Sequence, residues 1–152
     1  MPKSTANDAL IGREVTEAEA KAFDLAPHLI SLMWDEPFFA RVLRGITKIK
    51  TDAIPTAGVL AKDGDIRFWW NPKFLAGLTA PEIKGLIKHE CYHLVFDHTT
   101  SRRRAPHIVW NYATDLAINS LIAEVVLLTD RFSKRFPNRT NVIMVAVVSK
   151  NK

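Results

Sequence analysis

The stretch from Thr79 to His98 admits few alternatives to a helix, and it places two histidines on one face of that helix. Thr79-Ala80-Pro81-Glu82 is a capping box, with proline in the first turn where its missing N–H does no harm. Ile83, Leu86, Ile87, Leu94 and Val95 then recur at helical spacing, which predicts a helix to about His98. Inside it, His89-Glu90-Cys91-Tyr92-His93 reads HExxH. Residues four apart share a helix face, about 6 Å apart along the axis. Two imidazoles so placed can hold one zinc ion (Zn2+) at about 2.0–2.1 Å each. Glu90, one position on, can reach a water at that metal as a general base without being a ligand. The competing reading is a surface helix with two solvated histidines. Cys91 falls about 200° round the helix from His89 and reads as a small core residue, neither nucleophile nor ligand.

A catalytic zinc commonly takes three protein ligands and a water. Asp115 is the candidate third ligand. With Asn111 and Asn119 it forms a polar stripe at four-residue spacing on a helix expected over about Ile108 to Val125. Ile108, Trp110, Ala113, Leu116, Ile118, Leu121 and Ile122 surround that stripe and predict its burial. A buried carboxylate needs a partner; a metal suffices, and so would Arg102 or a backbone bond. His98 lies five residues past His93, about 140° round an unbroken helix, so it shares the metal only if the helix ends first. Otherwise it is a rim residue bonding substrate or an oxyanion, or a helix-C-terminal histidine favoured by the dipole. Arg102, His107, Tyr112 and Asn119 are further candidate oxyanion or substrate contacts.

Upstream, Thr16 and Glu19 form another capping box, opening a helix expected to run to about Ala26 and to break at Pro27. Helix is expected again through Leu29–Trp34 and from Phe38 to Gly45. Residues 54–61 and 66–70 read as strands, with Asp63-Gly64 as a hairpin turn between them and Asn71-Pro72 closing the second. Trp69 and Trp70 read as core beside a small sheet, or else as a subsite wall.

The 152 residues are 47% hydrophobic and 24% charged, which fits one globular domain and excludes a disordered chain. One cysteine excludes an internal disulfide framework. The first residues lack an apolar signal core, and the apolar run Val142–Val148 is too short to span a bilayer. A cytoplasmic chain without membrane partners is therefore expected. Net charge is +5, and Arg102-Arg103-Arg104 has no interleaved aromatics, so nucleic acid is not an expected partner.

The joint pattern resembles the zinc metallopeptidase (HExxH) domain found N-terminal to von Willebrand A-like domains in bacterial proteins. The matching residues are Pro37-Phe38-Phe39, Ile54-Pro55-Thr56-Ala57, Asp63-Gly64, Asn71-Pro72, His89-Glu90, His93, His98, Arg102, Trp110-Asn111, Ala113, Asp115 and Ile118-Asn119. The resemblance implies an α+β, zincin-like fold in which a small β-hairpin or sheet packs on the HExxH helix and a second ligand-bearing helix. It implies zinc held by His89, His93 and Asp115, with Glu90 as base. It also implies a peptide or protein substrate and a von Willebrand A-like partner. The expected organisation is a flexible N-terminus (1–14), the metallopeptidase domain (15–126) and an atypical or truncated basic tail (127–152). The expected activity is zinc-dependent hydrolysis of peptide bonds; the alternative is a non-catalytic zinc scaffold or partner-binding module.

Overall fold

The computed structural model describes residues 14–98, 105 and 107–122. The expected boundary at residue 127 and the basic tail lie outside the described residues. So does Arg102, as do the side chains of His107, Asn111 and Tyr112.

Among the described residues three short helices come first: α1 (Glu17–Ala22), α2 (Ala26–Asp35) and α3 (Pro37–Arg44). The Thr16 N–H donates to the Glu19 carboxylate at 2.8 Å while the Glu19 N–H donates to the Thr16 hydroxyl at 3.2 Å, the capping box expected there. α1 ends at Ala22, short of the predicted Ala26. Pro27 does not break a helix; it sits in the first turn of α2, where no intrahelical N–H bond is lost. Pro37 opens α3 in the same way.

A three-stranded sheet follows, from β1 (Ile46–Lys50), β2 (Ala57–Lys62) and β3 (Asp65–Trp70), in the order β1-β3-β2. β3 is central, parallel to β1 and antiparallel to β2. The hairpin turn is Asp63-Gly64 with both φ angles positive, +54° and +77°, the conformation that matches strand twist. β1 was not among the expected strands. Its five residues Ile-Thr-Lys-Ile-Lys alternate, yet only Ile46 is buried, so little hydrophobic signal marks it.

Asn71 then caps a short helix, α4 (Pro72–Ala76). Its side-chain oxygen accepts from the N–H groups of Lys73 (2.9 Å) and Phe74 (3.2 Å), while its Nδ2 donates to the Ile54 carbonyl at 2.8 Å. α5 (Ala80–Val95) is the central helix and α6 (His107–Asn119) packs on it. The Thr79 N–H donates to Glu82 at 2.7 Å, in the capping box expected there. Lys88 of α5 pairs with Glu36 at 3.0 Å and Lys84 with Asp35 at 3.4 Å, tying α5 to the α2–α3 corner.

The core runs between sheet and helices through Leu32, Phe39, Phe68, Phe74, Leu75, Ile83, Leu86, Ile87, Ile118 and Ile122. Trp70 belongs to it, edge-on to Phe23, and Trp69 is half-buried. The molecule is thus α+β with a small sheet. Among the described residues no helix is long and apolar enough to cross a membrane.

Candidate metal centre

The sequence of α5 puts its polar groups on the buried side. Ile83, Leu86 and Ile87 bury the first half of the helix in the core, and His89, Glu90 and His93 follow into the same interior. His89 and Glu90 are each 1% exposed and His93 is 0% exposed, which rules out two solvated histidines on a surface helix. Burying three ionisable groups costs several kcal/mol unless partners compensate, roughly 2–7 kcal/mol for each neutral polar group alone.

Asp115 is brought to them by α6. The buried side of that helix carries Thr114, Asp115 and Ile118, with Asp115 1% exposed, and Ile122 is buried just past its end. The expected apolar surround is only partly realised, because Leu116 and Leu121 face solvent. α6 also ends at Asn119, before the predicted Val125.

The His89 and His93 Nε2 atoms lie 3.0 Å apart, and Asp115 Oδ1 lies 3.3 Å from the first and 3.0 Å from the second. In a tetrahedral centre with bonds of about 2.0–2.1 Å, neighbouring ligands stand about 3.3–3.4 Å apart. The triangle therefore has nearly the size that a divalent ion requires. Both Asp115 oxygens and the His89 Nδ1 are buried and, among the described residues, lack hydrogen-bond partners of ordinary geometry. Two imidazoles and a carboxylate that crowd together without such bonds are donors suited to a cation.

The electrostatics point the same way. Burial pushes the His93 imidazole below its usual range, the facing Asp115 carboxylate opposes this, and His89 adds to the lowering. A neutral imidazole is the ligating form. Glu90 is held well above the ordinary carboxylate range, first by burial and then by the Asp115 charge, with the Val59 backbone of β2 pulling the other way. Among the described residues neither Glu90 oxygen has a hydrogen-bond partner of ordinary geometry. A cation beside Asp115 would offset that negative charge and draw Glu90 back toward its ionised form.

Cys91 is 1% exposed and belongs to the hydrophobic core, as expected. His98 is brought close, but to the far edge of the His93 ring: its Nδ1 is 3.3 Å from the His93 Nδ1, not the Nε2. Asn119, one turn past Asp115, has both carboxamide atoms buried and without a partner among the described residues. The sequence reading missed the Val59 backbone as a neighbour of Glu90, and nothing short of the strand pairing could have supplied it.

A family model described as "Putative metallopeptidase domain" matches residues 20–132, most of the chain. No curated protein and no solved structure matches it.

Proposed function

This chain belongs to the putative metallopeptidase domain family, and from that premise we propose that it hydrolyses peptide bonds at a divalent ion held by His89, His93 and Asp115. The observation that carries the reading is the convergence of three buried donor atoms, all within 4.8 Å of one another, beside a buried carboxyl that they do not use. Zinc is the proposed ion, because two imidazoles and one carboxylate with room for a water is a common catalytic zinc set. When bound, such an ion supplies Lewis acidity to a scissile carbonyl and lowers the pKa of a water.

The protein's own groups do the rest. Glu90 Oε accepts the proton of the attacking water and delivers it to the departing amine, so one carboxyl serves as base and then as acid. The dry interior around Glu90 and His93 strengthens every charge interaction made there. Among the described residues β2 forms one edge of the sheet, and its Val59 backbone faces Glu90. An extended peptide bonded along that edge would lie next to the base. We read the architecture as zincin-like on these grounds: a small sheet whose edge strand runs beside an HExxH helix.

Glu90→Gln tests the assignment. The variant is expected to bind metal like the wild type and to lose peptide hydrolysis by at least about a hundredfold, the ordinary worth of a general base. Undiminished turnover in that variant would remove Glu90 from the mechanism.

A further inference from the structure

α5 ends in a way that changes where His98 goes. Asp97 adopts φ +57°, a left-handed conformation uncommon for a residue other than glycine. The Asp97 N–H donates to the Leu94 carbonyl at 3.1 Å and the His98 N–H to the His93 carbonyl at 2.9 Å. These two bonds are the Schellman closure, with Asp97 at the left-handed position and His98 just beyond it. A continuing helix would carry His98 about 140° away from His93. The reversal instead returns its ring to 5.5 Å from the His93 ring, with the two Nδ1 atoms 3.3 Å apart.

Trp110 of α6 holds the other side of His98. Its indole ring packs edge-on at 5.7 Å and its N–H donates to the His98 carbonyl at 3.4 Å. Phe96 lies 5.7 Å away on a third side. The ring is thus fixed by a turn, an aromatic wall and a hydrogen bond to its own backbone.

From this placement we infer that His98 is a positioning residue: its Nδ1 accepts the Nδ1–H of His93 and so aims the His93 Nε2 at Asp115 and His89. The inference rests on the metal reading proposed above. Two facing Nδ1 atoms need one donor and one acceptor. An imidazole that offers its Nε2 lone pair to a cation carries its proton on Nδ1, so His93 donates and His98 accepts. Contact through the Nδ1 edge also separates this role from that of a fourth ligand, since Asp115 approaches the opposite edge of His93, 3.0 Å from Nε2. The restraint falls on one ligand of the pair, because the His89 Nδ1 has no such partner among the described residues.

The test uses the full chain and two variants. His98→Phe keeps a ring against Trp110 and Phe96 but has no acceptor; His98→Asn places an amide oxygen near the former Nδ1. In the zinc-loaded wild type, a 15N–15N coupling across the hydrogen bond should connect the two Nδ1 atoms, with the proton on the His93 side. Zinc affinity, read by competition with a chromophoric chelator, should fall about 10–100-fold in His98→Phe and largely recover in His98→Asn. No coupling, or wild-type affinity in a folded His98→Phe, overturns the inference and leaves the metal site standing. If His98→Phe does not fold, a folded His98→Asn with affinity lowered about tenfold or more overturns it equally. No zinc uptake by the wild type overturns the metal reading, and the positioning role falls with it.

Discussion

At Cys91, the burial that builds the centre also disarms the chain's one thiol. Its pKa is pushed up to about 12, by burial first and the Glu90 charge second, against a weaker pull from Lys48. The native protein should therefore resist a thiol reagent at pH 8 and take up one equivalent only when denatured; fast labelling of the folded state would contradict the burial. His28 shows the opposite kind of shift. Stacked on Phe23, it is lowered from its ordinary value of 6.5 by burial, against the raising effect of Asp24. The folded state then binds fewer protons than the unfolded state below pH 6.5, so the His28 contribution is present above that pH and is lost as pH falls. His28→Gln should flatten the acid limb of a Tm-versus-pH curve, and an unchanged slope would remove His28 from it. At this scale Asp115 was legible, because a four-residue polar stripe among apolar residues needs a buried partner. The place of His98 was not. It depends on where α5 ends and on one positive φ at an aspartate, which sequence marks only weakly.

The elements were legible where local chemistry announces them. Both capping boxes open helices, and the Asp-Gly turn joins the two strands expected on either side of it. β1 escaped because it is short, mostly exposed and paired in parallel with a strand that follows it by about one hairpin, so no local pattern defines it. α4 escaped because five residues cannot display a helical period; its signal was Asn-Pro, read as a strand end rather than a cap. Asn71 joins three features at once: the end of β3, the start of α4 and the loop carbonyl of Ile54. Asn71→Ala should cost about 2–3 kcal/mol, combining a lost cap with a buried carbonyl left unpaired. Urea unfolding would show this as a lower midpoint at unchanged m-value, with Asn71→Asp intermediate because it keeps the capping oxygen. A wild-type midpoint in the alanine variant would contradict the linking role.

Across the whole molecule, α5 is the element to which the others are fitted. The sheet packs along it at β2, α2 and α3 brace it through the Lys84 and Lys88 ion pairs, and α6 delivers Asp115 across it. The HExxH pattern and the polar stripe foretold which side chains would meet, since each lies on one helix at a fixed spacing. The meeting itself depends on packing between helices joined by a loop, which no periodicity encodes. Metal content tests that meeting most directly. Purified wild-type protein, supplied with zinc and then dialysed, should retain one equivalent. Asp115→Ala, while still folded by circular dichroism, should retain none or bind far more weakly. A wild type that holds no zinc, or an Asp115→Ala variant that holds it as tightly, would contradict the three-donor centre.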